Sequence, residues 1–149
     1  MRYEIFLGIL IITILAILFI YNNFWVENKQ GHVCFNDKCF SVNLAITPVE
    51  QTKGLIFINH LGEDKGMLFI FQADGVYPFW MKNTLIPLDI IWVDSNENVV
   101  YISKNTQPCT STCPNINPGK EARYVLEVNA GIADKIGLEV GGKITIIRT

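Results

Sequence analysis

Between Phe79 and Trp92 the chain reads Phe79-Trp80-Met81-Lys82-Asn83-Thr84-Leu85-Ile86-Pro87-Leu88-Asp89-Ile90-Ile91-Trp92. Its polar residues have the types needed for a small ligand site. Trp80 and Trp92 offer flat apolar faces, Lys82 a cation, Asn83 both a donor and an acceptor, and Asp89 an acceptor. Such a set suits a sugar or another small polar ligand. Asp89 also makes a structural demand, because an ionised carboxylate inside an apolar strand is costly unless it is paired or hydrogen-bonded. In a purely structural reading, Asn83-Thr84 turns the chain and Asp89 accepts hydrogen bonds from their backbone and from Lys82 or Trp80. Either way, Asp89 needs a specific partner.

Catalysis has fewer parts to draw on. Asp89 with Glu127 could form a carboxylate pair of the glycosidase type if both faced one cavity. The alternating strand position of Glu127 reads equally well as the solvent face. His32 and His60 are the only histidines and neither has a ligand-spaced partner. No Gly-x-Ser-x-Gly elbow, phosphate loop or dinucleotide fingerprint is present. The expectation is a non-catalytic domain with no cofactor and no metal; a hydrolase using Asp89 and Glu127 is the alternative.

The cysteines form two local pairs, Cys34 with Cys39 and Cys109 with Cys113. Close pairs in even number suit disulfides in an oxidising compartment. Asn36-Asp37-Lys38 is turn material, so a hairpin would bring Cys34 to Cys39. Cys109 and Cys113 sit in a Pro- and Asn-rich loop, Gln107 to Gly119. The rivals are a tetrathiolate zinc site, for which the spacings are loose, and a redox dithiol, which usually has Cys-x-x-Cys spacing at a helix start.

From Ile5 to Ile20 nearly every residue is Ile, Leu or Phe, and Tyr3 to Tyr21 approaches the roughly 20 residues that span a bilayer as a helix. Tyr21, Phe24 and Trp25 follow where an interfacial belt would lie. The apolar stretch is longer than the core of a cleaved signal, and no Ala-x-Ala-like site comes after it. Residues 1–25 are therefore read as an uncleaved membrane anchor, with its helix over about 4–21. Residues 26–149 are read as one extracytoplasmic domain, a side favoured by the few flanking bases and by the cysteines. The lipid bilayer is the expected partner of the anchor, and a small polar ligand or an envelope protein that of the domain. The formal charge is −2 and no Lys/Arg run occurs, which argues against nucleic acid.

The domain reads mostly as strands. His32–Phe35 and Cys39–Ile46 form an expected hairpin, and Met67–Phe71 is an apolar run buried on both faces. Further strands are expected at Asp89–Val93, Val99–Ser103 and Ala122–Val128, and a last one after Gly141-Gly142. Thr47-Pro48-Val49-Glu50 carries a capping box that opens a short helix, with Gly54 placed to end it in a left-handed turn. Asn129 is read as the cap of a second helix, which stops at Gly137. Many short strands with two short helices predict a mainly β fold, a compact β-barrel-like domain or a sandwich, with helices plugging its ends.

In the same order, Gly54-Leu55-Ile56, Gly66-Met67-Leu68-Phe69, Phe79 to Thr84, Ile86 to Ile91 and Tyr124 to Gly131 resemble the motifs of domain-of-unknown-function family 192, also called uncharacterised protein family 0127. Ile56 stands where that family more often has Met, an apolar exchange. The resemblance covers nearly the whole chain after the anchor. It implies a bacterial or archaeal protein that often carries an N-terminal signal or anchor, and it implies no reaction.

Overall fold

A computed structural model of the chain describes residues 8, 10–17 and 29–148. Seven strands, β1 (Gln30–Phe35), β2 (Lys38–Ala45), β3 (Lys65–Gly75), β4 (Leu88–Val93), β5 (Val99–Thr106), β6 (Ala122–Asn129) and β7 (Thr145–Arg148), form one sheet in the order β5-β4-β6-β3-β2-β1-β7. Two short helices interrupt them, α1 (Pro48–Lys53) and α2 (Ile132–Ile136).

Local chemistry explains the first half of this order. Asn36 takes a positive φ of 50° in the tight turn that pairs β1 with β2, and Cys34 lies directly opposite Cys39 in that ladder. Thr47 then caps α1. Its hydroxyl accepts from the Glu50 N–H, and the Glu50 carboxylate accepts from the N–H groups of Thr47 and Ile46, both at 2.8 Å. These bonds hold the Glu50 carboxyl below its usual range. Gly54 ends the helix with φ 46° and ψ −137°, a positive φ but not the expected left-handed turn. The α1 crossover makes β3 run parallel to β2, the one parallel pairing between strands of the sheet.

Both faces of the sheet are covered. On one face Val42, Leu68, Ile91, Val93, Leu126 and Val128 pack with Ile132 and Ala133 of α2 and with Leu138 and Ile144. On the other, Phe69, Leu88, Ile90, Trp92 and Val125 pack under Leu55, Met81 and the loops between strands. All six residues of β4 are buried as a result. Such burial explains why its sequence is a continuous apolar run and not an alternation.

The expected barrel or sandwich is replaced by a single open sheet. β7 has four residues and pairs only with β1, so it does not close against β5. The two ends of the sheet meet at one corner, where Val99 N–H donates to Gly142 O at 2.8 Å and Ile144 N–H to Glu97 O at 3.0 Å.

At the N-terminus residues 10–17 are helical. The rest of the expected anchor helix, apart from residue 8, lies outside the described residues. Among those described, no helix is long and apolar enough to cross a membrane.

Asp89 points to the α2 face, opposite Val128 in the β4–β6 ladder. It is fully buried, and its oxygens accept from Ala133 N–H in the first turn of α2 and from Asn105 N–H, each at 2.8 Å. The expected partners near Trp80 and Lys82 are thus replaced by backbone groups of β5 and α2. Asn129 is not the cap of α2 either. Gly131 occupies that position without a side-chain bond, and the Asn129 amide donates to Leu61 O and Gly62 O. Helix α2 stops at Gly137, as expected, and that residue takes the left-handed conformation.

Asp89→Ala leaves two N–H groups without an acceptor and should cost about 2–4 kcal/mol in urea unfolding. A loss under about 1 kcal/mol would show that the carboxylate does not hold β5 and α2.

Candidate functional site

The loop face carries a cavity of about 530 Å³. Its walls come from four places: α1 with Gly54–Ile56, β3 with the Tyr77–Trp80 segment, Thr84, and Asn115 in the Gln107–Gly119 loop. Five aromatic residues, Phe69, Phe71, Tyr77, Phe79 and Trp80, line it, and Glu127 of β6 lies at its depth. Glu127 is opposite Ile90 in one ladder and Met67 in the other, so it stands on the loop face of the sheet.

The aromatic wall is braced from below by Trp92. That residue is fully buried, and its indole N–H donates to Tyr77 O at 2.8 Å. Phe79 packs edge-on against it at 5.5 Å and against Phe69 at 4.8 Å, while Phe71 and Tyr77 stack at 3.6 Å. Trp80 is 50% exposed, which puts it at the rim. Backbone bonds fix the mouth: Phe57 N–H donates to Asn83 O at 2.9 Å, and Asn83 N–H to Cys109 O at 3.1 Å. Phe57 and Asn83 both hold positive φ, 61° and 59°, and for a residue as bulky as Phe this is a strained conformation. The Cys109–Cys113 disulfide closes a short ring just before Asn115.

Glu127 is 5% exposed, and its Oε2 has no hydrogen-bond partner. Burial alone pushes its carboxyl up to about 8, so the proton stays on through neutral pH. The nearby backbone at Gly54 allows this depth. A Cβ built there would lie 3.3 Å from the Phe69 ring and 4.0 Å from Glu127 Oε2, and φ is already positive.

Of the sequence-derived candidates, Trp80 lines the cavity and Lys82, Asn83, Asp89 and Trp92 do not. Lys82 is exposed, Asn83 acts through its backbone, and Trp92 supports the wall from the core. The carboxylate pair does not form one site. Asp89 pairs with Val128 while Glu127 pairs with Ile90, and side chains of neighbouring strand residues alternate, so the two acids face opposite sides of the sheet. Nor is Glu127 on a solvent face, because the loops after β3 and β5 cover it. All four cysteines are bonded, Cys34 to Cys39 and Cys109 to Cys113, which leaves no thiolates for zinc or redox work in this state. The Phe69–Phe71–Tyr77–Phe79 wall has no signature of its own, because each member reads in sequence as ordinary strand or core, and Glu127 was expected beside Asp89 and not beside these rings. An acid in the middle of Val125-Leu126-Glu127-Val128 was the available signal.

Fold and cavity together define a small, mainly β domain with one ligand-sized aromatic recess. The chain belongs to the DUF192 family (Uncharacterized ACR), whose model matches residues 31–146. No curated protein matches it. It is similar in structure to a protein from Sinorhizobium meliloti 1021 proposed to be a transcription regulator, at 28% identity and a TM-score of 0.71 over 79% of this chain and 92% of that one. A protein of unknown function from Novosphingobium aromaticivorans DSM 12444 is 35% identical, with a TM-score of 0.67 over 78% of this chain and 83% of that one.

The Glu127 proton gives a pH signature with a defined sign. Below pH 4.5 both the folded and unfolded chains carry it; between there and about 8 only the folded chain does, so stability falls as pH rises. Above about 8 both are ionised and the dependence ends. Denaturant titrations from pH 5 to 9 should therefore show a Glu127 contribution declining by a few kcal/mol. The Glu127→Gln variant should lack it; the same slope in both proteins would mean that Glu127 is not buried unpaired.

Proposed function

We propose that this protein is a non-catalytic receptor for a small organic ligand, held at a membrane with its β domain on the extracytoplasmic side. The observation that carries the ligand reading is the unpartnered carboxyl at the bottom of an aromatic cavity. Leaving a buried polar atom unsatisfied costs about 1–3 kcal/mol, and a bound polar group would recover that. The lining favours a ligand with an apolar body and one polar end. A sugar would find few partners, because the Gln51 amide already donates to Ile46 O and Ile70 O, the Thr52 hydroxyl donates to Pro48 O and Lys53 is exposed, which leaves Thr84, Asn115 and Glu127 to meet many hydroxyls.

Membrane attachment rests on the apolar stretch Ile5–Ile20 and on residues 10–17, where Leu10, Ile11, Ile12, Ile14, Leu15 and Ile17 leave no polar side on the helix. Two disulfides support the extracytoplasmic side. Regulation of transcription, proposed for the Sinorhizobium protein, has less support here, with a net charge of −2 and no basic run.

Saturation-transfer NMR with benzyl alcohol, benzamide and benzylammonium should show binding to the full-length chain in detergent micelles. Trp80→Ala should weaken it at least tenfold while moving the thermal midpoint by no more than about 2 °C, since the side chain is half exposed. No transfer from any probe, or transfer undiminished in both Trp80→Ala and Glu127→Leu, would overturn the ligand reading. For location, a protease added to intact cells should remove the β domain; protection until the cells are lysed would overturn the topology.

A further inference from the structure

The cavity's chemistry also narrows the class of ligand. Three properties converge. Glu127 is the only acid among the described residues that line the cavity, and its buried Oε2 has no hydrogen-bond partner. Around it stand aromatic rings, whose faces carry negative quadrupole charge and attract cations. Lys53 is the other charged residue of the lining, and it sits exposed in the last turn of α1, while the Tyr77 hydroxyl is occupied in donating to Ala73 O. An anionic ligand would meet the acid with no cation at depth. A wholly apolar ligand would leave Oε2 unsatisfied. A neutral hydroxyl would satisfy the oxygen and gain little from the rings. A positive charge gains from both.

We propose that the cavity binds an organic ammonium ion, with its alkyl groups against Phe69, Phe79 and Trp80 and its charge against the Glu127 carboxylate. This rests on the ligand-binding reading above and gives it a chemical class. The binding step balances simply: the protonated carboxyl gives up its proton to solvent as the cation enters, and a carboxylate–ammonium pair replaces a neutral acid. Proton release on binding is therefore a signature that a neutral ligand would not produce.

The test uses the full-length chain in a non-ionic detergent and two probes of nearly equal shape, choline and its uncharged carbon analogue 3,3-dimethylbutan-1-ol. Titration calorimetry at pH 7 should show choline binding at least tenfold more tightly. Its apparent heat should vary with the ionisation enthalpy of the buffer, as proton release requires. Glu127→Gln should bring the two probes within about twofold of each other, and Lys53→Ala should leave choline affinity equal or higher. Equal binding of both probes, or a choline preference that persists in Glu127→Gln, would overturn the assignment of an ammonium ion held by Glu127. If neither probe nor benzylammonium binds while benzyl alcohol and benzamide do, the ammonium assignment falls alone; if nothing binds, both readings fall.

Discussion

The Asp89 carboxylate joins parts of the chain that no local interaction connects. It sits at zero exposure in a central strand, and one oxygen holds the first turn of α2 while the other holds the backbone of β5 at Asn105, where φ is positive. A carboxyl group this deep is tolerable because two N–H groups meet it, and those groups are themselves satisfied by it. With α2 fixed, one face of the sheet is sealed by Ile132 and Ala133, and the curl that brings Gly142 to Val99 can close over it. Helix α2 is five residues long, too short to persist on its own, so its existence depends on this attachment.

The opposite face was solved differently. Among the described residues no helix lies flat across it; instead the long excursions after β3 and β5 fold over Phe69, Ile90 and Val125, with α1 and the Gly54 turn along one side. Irregular segments pack less completely than a helix, and the space left between them is the cavity. Trp92 and Phe79 keep it from collapsing, because a buried indole bonded to Tyr77 O and edge-packed aromatic rings have little freedom to shift inward. Two acids on adjacent interior strands thus have opposite fates: Asp89 is hydrogen-bonded and structural, while Glu127 lines the cavity with its Oε2 unpartnered.

Much of the fold was legible from local patterns. The capping box at Thr47–Glu50, the turn at Asn36, the apolar run of β4 and the stop at Gly137 each depend on residues within a few positions of one another, and each formed as read. The same holds for the disulfides, whose partners are five and four residues apart. What failed were assignments that required knowing a distant neighbour. Asn129 looked like a cap, but its amide found Leu61 O and Gly62 O, which lie more than sixty residues away. Trp92 looked like a ligand platform because sequence cannot tell an aromatic residue in a wall from one behind it.

Sequence alone determined the family, the mainly β character, the cysteine pairing and the positions of most strands, because periodicity, caps and turn residues act within one element. Only the tertiary structure decided that the sheet stays open, that Asp89 and Glu127 face opposite ways, and that Glu127, not Asp89, meets the cavity. Those outcomes depend on the register between β4 and β6. Register is a relation between strands more than thirty residues apart, and a shift of one position would reverse every face.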